Sequence, residues 1–153
     1  MPLLRVTLTP GAFDDDQRAL LAVALTDAAC RAESVPDGAH ARSLALVVID
    51  EMASGTFFSA GQSAEDLVAG VFIDWQVSSG VLDGARKERF AAELQEAAEN
   101  AVHGTDRLVV TSCVIHEVPE GQWAQNGAIR RLPEVVAIAG FEHLSGMAKA
   151  GTP

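Results

Sequence analysis

Positive charge is what this chain has least of: 11 Lys and Arg stand against 21 Asp and Glu, a formal net charge of -10. Polyanions and anionic bilayers are met by basic patches, so neither nucleic acid nor a membrane surface is an expected partner. Any small anion must be held by a local exception to the overall sign. No apolar run approaches the roughly 20 residues of a membrane-spanning helix. Arg5 interrupts the opening apolar run, and no small-residue cleavage site follows, so no secretory signal is expected and the expected location is cytoplasmic. Cysteine is equally sparse. Cys30 in a helical context and Cys113 in a strand-like one read as buried thiols, not as a disulfide or metal pair. His40, His103 and His143 show no ligand spacing with carboxylates or cysteines, and no metal or other cofactor is expected.

The 153 residues are 48% hydrophobic, enough for one domain or two small fused units with a substantial core. An internal repeat organises them. Glu51, Gly55, Phe57 and Gly61 recur at identical spacing as Glu117, Gly121, Trp123 and Gly127, an offset of 66. The front halves align at an offset of 69, with Pro2 to Gly11 on Val71 to Gly80, and Leu21, Leu25 and Ala28 on Phe90, Leu94 and Ala97. Each copy reads as strand, helix, strand and a glycine-punctuated hairpin. Asp14 and Asp83 stand at N-cap positions before helices expected over about 15–32 and 84–102. The expected division is 1–66 and 67–132 for the two units and 133–153 for a C-terminal segment.

The expected fold is α+β (α/β): tandem β-α-β units making a four-stranded sheet with both helices on one face, since strand–helix–parallel-strand connections are right-handed. The other sheet face, rich in Val, Leu and Ile, needs a cover. Either the segment of about Glu134 to Leu144 supplies it or other subunits do.

Pro2 follows Met1 directly and heads Leu3-Leu4-Arg5-Val6-Thr7-Leu8. With Met1 removed, the chain begins with a secondary amine, a group able to serve as base, acid or nucleophile. Proline has no N–H to give to a ladder and tolerates the first position of a strand. Val71, its counterpart, has no free amine, so one catalytic centre per chain is the most this sequence allows.

Pro2, the β-α-β pattern and the closing Glu51-Met52-Ala53-Ser54-Gly55-Thr56-Phe57 resemble the tautomerase superfamily, including the small 4-oxalocrotonate tautomerases. The duplicated length is similar to its fused members, among them the cis-3-chloroacrylic acid dehalogenases, malonate semialdehyde decarboxylases and relatives of macrophage migration inhibitory factor. Pro2-Leu3-Leu4-Arg5-Val6, Lys87-Glu88-Arg89-Phe90 and Trp123 are most similar to the decarboxylase group. This resemblance spans about residues 2 to 132. It implies a homotrimer with Pro2 at the base of a pocket that a neighbouring subunit partly lines, and a small carbonyl compound as substrate. A free α-amine titrates near 8 and is lowered by burial or a nearby cation. Neutral, it can move a proton between carbon and oxygen in keto-enol tautomerisation; protonated, it can act as an acid in hydration or decarboxylation.

Several positions that the resemblance would make functional carry other residues. Ala12, Leu46, Ser78 and Val81 stand where carboxylate-binding arginines are implied. Ala29 replaces a helix histidine, Val114 a strand tyrosine and Gln125 a water-activating glutamate. Gln125 can orient water but cannot deprotonate it, so hydrolytic dehalogenation is not expected. Asp37, after Val35-Pro36, imitates the decarboxylase aspartate at a different spacing, and an Asp there also suits a turn. Arg5, Arg42, Arg130 and Arg131 are candidate replacement cations, each with a solvated or interface surface as the plainer reading; Arg42 falls in a stretch, His40 to Leu44, that reads as loop. His116 is either a pH-sensitive partner or a hydrogen-bonded strand-end residue. Trp123 is an aromatic wall or core. The candidate set is therefore Pro2 for catalysis, with Arg5, Ser78, Val114, His116, Trp123 and Gln125 for substrate. Two classes stay open: a cofactor-free, Pro2-dependent tautomerase, with decarboxylase or hydratase as subsidiary enzyme readings, and a non-catalytic trimer acting in binding or assembly.

Overall fold

A computed structural model describes residues 2–148. The first unit comprises β1 (Leu3–Leu8), α1 (Asp15–Ala32), α2 (Ala39–Arg42), β2 (Leu46–Glu51) and a hairpin of β3 (Phe58–Ser59) and β4 (Gln62–Ser63). The second repeats it with β5 (Val68–Ser78), α3 (Gly84–Ala101), β6 (Leu108–Val118) and a hairpin of β7 (Trp123–Gln125) and β8 (Ala128–Arg130). A C-terminal segment adds α4 (Leu132–Ala139), a 3-10 turn at Glu142–Leu144 and α5 (Ser145–Ala148).

The four long strands form one sheet in the order β2-β1-β5-β6. β1 pairs parallel to β2 and β5 parallel to β6, while β1 and β5 meet antiparallel, with Leu4 opposite Trp75. Two β-α-β units thus face each other across the sheet centre. Alternation sends Leu4, Val6 and Leu8 of β1, and Val71, Ile73, Trp75 and Val77 of β5, to the face covered by α1 and α3, where all are buried. The expected stripes, Leu21, Leu25 and Ala28 on α1 and Phe90, Leu94 and Ala97 on α3, meet them there. Trp75 and Phe90 anchor this core with ring centroids 4.2 Å apart.

Local chemistry starts both helices the same way. The Asp14 carboxylate accepts from the Gln17 N–H at 2.8 Å while the Gln17 side chain accepts from the Asp14 N–H at 2.9 Å, a closed capping box. Asp83 accepts from the Arg86 N–H at 2.8 Å. The repeat extends to ion pairs: Arg18 on α1 binds Glu51 at the end of β2, and Lys87 on α3 binds Glu117 near the end of β6 at 2.9 Å. Both hairpins turn through a non-glycine and a glycine at positive φ, Ala60-Gly61 and Asn126-Gly127.

Two expectations need correction. The stretch expected to be loop before β2 contains one helical turn, α2, and its Arg42 is half-buried against Asp27 instead of solvated. Of the two covers expected for the open sheet face, the segment of about Glu134 to Leu144 does not supply one among the described residues. Val135, Val136, Ala139 and Phe141 join the helix-side core; the Glu142 N–H donates to the Ser34 carbonyl at 3.3 Å, and His143 Nε2 lies 2.9 Å from the Val81 carbonyl. Leu46, Val48 and Val114 on the other face remain 54%, 40% and 54% exposed. Among the described residues no helix is long and apolar enough to cross a membrane.

Candidate active site

Pro2 is buried immediately ahead of β1. Its carbonyl accepts from the Leu46 N–H at 2.9 Å, which ties the start of β1 to the start of β2. Leu3 pairs with Gln76, so Pro2 sits at the level of Val77, near the end of β5. One residue further, Ser78 ends β5 opposite Val118 of β6, and the chain continues into a turn at Gly80, where φ is 87°.

That end of β5 opens into a cleft of about 520 Å3, its walls including Ser78, Val118, Trp123, Arg130 and Leu132, with Glu120 also on its lining. Gln125 and Val135 line a narrow extension with Ser78, Trp123 and Arg130. The second hairpin builds this wall. Trp123 and Arg130 are directly opposed across the β7–β8 ladder, which sets both side chains on one face of the ribbon. Arg130 is half-buried, and its Nε is shielded from solvent without a hydrogen-bond partner among the described residues. A cleft that is mostly apolar and holds one incompletely satisfied guanidinium is suited to a small organic anion. Pro2 lies at the same end of the sheet without lining the cleft itself.

The candidate residues divide into two groups. Ser78, Trp123 and Gln125 come together, joined by Arg130. Arg5, Val114 and His116 lie instead on the open sheet face: Val48, Arg5, Asp74 and Val114 form one row across it, and His116 Nε2 is 2.8 Å from Asp74 Oδ1. Arg131 follows the hairpin and its N–H donates to Glu134 at the start of α4. On the first-unit side, Asp27, Cys30, Asp37 and Arg42 line a separate cleft of about 310 Å3. Neither cysteine forms a disulfide. Burial raises the Cys30 thiol, with Arg42 pulling the other way, and pushes Cys113 up to about 11. Both are therefore poor thiolates.

One residue at this end escaped the motif reading. Glu33 caps the C-terminus of α1 and is fully buried, the only acid so placed among the described residues. Burial raises its carboxyl, opposed by the amino-terminal charge and by the Trp75 indole. The signal was periodicity: Glu33 falls four residues after Ala29 and eight after Leu25, on the buried stripe of α1. Among the described residues no group of three His, Cys, Asp or Glu is gathered to hold a metal ion.

Comparison with known proteins agrees with this architecture. Residues 2–67 match the family model described as tautomerase enzyme. No curated protein matches the chain. A native fused 4-OT structure is 21% identical, covers 83% of this chain and 94% of its own, and superposes with a TM-score of 0.66. A fused 4-OT in asymmetric trimer form is 20% identical over 83% and 94%, with a TM-score of 0.65. A member of the cis-3-chloroacrylic acid dehalogenase family is 21% identical, covers 99% of this chain and 92% of its own, and has a TM-score of 0.66. The first unit, residues 2–67, thus matches the tautomerase family by sequence, and the chain as a whole has the fold of the fused two-unit proteins.

Proposed function

We propose that the mature protein lacks Met1 and uses the secondary amine of Pro2 as general base and acid in the tautomerisation of a small keto-enol carboxylate, with no cofactor, as a cytoplasmic isomerase. The observation that carries this reading is the position of Pro2: buried at the head of a central strand, at the sheet end where the cleft of Ser78, Trp123, Gln125 and Arg130 opens. Burial disfavours the ammonium form and supplies an amine able to accept a proton from carbon at neutral pH. Arg130 takes the place of the missing arginines as the anion-holding group, Trp123 excludes water from the reacting carbons, and Ser78 and Gln125 offer hydrogen bonds to the substrate oxygens.

The assembly is proposed to be a homotrimer. The open sheet face supports this, because Leu46, Val48 and Val114 expose apolar surface there that is left uncovered among the described residues; two of the similar solved fused 4-OT proteins are trimers. Intact-mass measurement of the purified protein tests the first requirement, and ketonisation of an aryl enol acid, followed by ultraviolet absorbance, tests the second. Loss of Met1 and abolition of the rate by Pro2→Ala are expected. Retention of Met1, or full activity in P2A, overturns the proposal.

A further inference from the structure

The second hairpin and the turn before it put one charge of each sign on the same cleft. Among the described residues that line it, Arg130 is the one cation and Glu120 the one anion. They differ in depth. Arg130 also lines the narrow extension, with Ser78, Gln125 and Val135, and its Nε is shielded from solvent without a partner among the described residues. Glu120 is exposed and lines only the wide part. A turn fixes it there: Gly121 sits at φ 81°, and the Gln122 N–H donates to the Pro119 carbonyl at 3.1 Å. The rest of the lining is mostly apolar, with Val118, Pro119, Trp123 and Leu132 among it. At about 520 Å3 the cleft falls in the size range that encloses ring-bearing ligands, well beyond what a three-carbon acid fills.

Resting on the proposed role of Arg130 as the anion-holding group, we propose that Glu120 is a specificity-determining residue that reserves the cleft for monoanions: acids with one carboxylate and an apolar, uncharged far end. The carboxylate enters toward Arg130, Ser78 and Gln125, and the apolar body lies along Trp123. A second carboxylate at the far end meets Glu120, with no second cation in the cleft to offset it. Sites discriminate through such a repulsive element as well as through attractive ones. A volume of 520 Å3 has a linear dimension of about 8 Å. Two like charges about 8 Å apart, at an effective dielectric of about 40, between the surface and bulk-water values, weaken binding about fivefold. The net charge of -10 also repels any dianion from a distance, so the local effect has to be separated from the global one.

The test is calorimetric titration of the full-length mature protein at low ionic strength with 3-phenylpropionate and 3-(4-carboxyphenyl)propionate, unreactive acids that share one body and carry one and two carboxylates. Wild type is expected to bind the diacid about fivefold or more weakly than the monoacid. Glu120→Gln should bring the ratio of the two Kd values close to one, Glu120→Lys should invert it, and about 0.5 M NaCl should narrow it in wild type. Asp16→Asn removes one exposed charge at the start of α1, beyond the far end of β1, and should leave the ratio as in wild type. Equal relaxation by Asp16→Asn and Glu120→Gln assigns the preference to net charge and overturns the proposal. So does a wild-type diacid bound as tightly as the monoacid, or no binding of either, even where P2A abolishes ketonisation. A ratio that Glu120→Gln levels, in a protein whose ketonisation survives P2A, supports the role of Glu120 while the catalytic reading of Pro2 fails.

Discussion

Removing the charge of Arg130 should weaken substrate binding without touching the chemical step. Its guanidinium flanks the 520 Å3 cleft beside Trp123, and its Nε is shielded from solvent without a protein partner among the described residues. Hydrogen bonds to charged groups contribute about 1.5–3 kcal/mol each, a range equivalent to roughly ten- to a hundredfold in affinity. The cleft is open and Arg130 only half-buried, so solvent screening argues for the lower end, about tenfold. Arg130→Leu keeps the apolar packing of the stem against Trp123 and isolates the charge. Steady-state ketonisation of an aryl enol acid should then show KM raised about tenfold with kcat nearly unchanged, because an anion held equally in ground and transition states contributes uniform binding. The methyl ester of the same compound, which has no charge to lose, should be handled alike by both proteins. Arg130→Lys should recover only part of the affinity, since an ammonium cannot make the planar fork. A KM for the acid within about twofold of wild type, or an equal loss on acid and ester, refutes the assignment of Arg130 as anion holder.

Two further outcomes test the packing of the sheet and the thiols. A methyl group on Gly70 would meet the Phe72 ring at 2.7 Å and Thr9 Cγ2 at 2.8 Å, and Thr9 is locked by donating to the Val68 carbonyl and accepting from the Gly70 N–H, both at 2.9 Å. Gly70→Ala should therefore lower the urea midpoint by an amount worth about 1–3 kcal/mol with an unchanged slope, and an unshifted midpoint would show that the sheet centre yields more easily than its contacts imply. Cys113 titrates near 11 because burial disfavours its thiolate. Its alkylation by iodoacetamide at pH 8, read by peptide mass, should be about a hundredfold slower in the folded protein than in urea, and should accelerate only as pH climbs toward 11.

The parts of the fold that repeat in local chemistry were readable from the chain. Asp14 and Asp83 mark helix starts because a short acidic side chain before an apolar stripe satisfies orphan N–H groups wherever it occurs. Leu21, Leu25, Phe90 and Leu94 lie on core faces because a helix with that spacing has no other way to hide them. Arg5 and His116 were less tractable. Period-two alternation identifies a face but not which face the helices cover, and both residues lie on the open side, with His116 bonded to Asp74.

By its order of residues alone this protein determined a duplicated β-α-β chain with a proline at its head, because capping, periodicity and turn chemistry act within a few residues of each other. Only the tertiary structure decided that Arg130 and Ser78 line one cleft, that Glu33 is buried at the end of α1, and that α4 joins the inner core, so that among the described residues the outer sheet face stays bare. Those outcomes depend on contacts between segments far apart in sequence, which packing of the whole core selects and no local preference encodes.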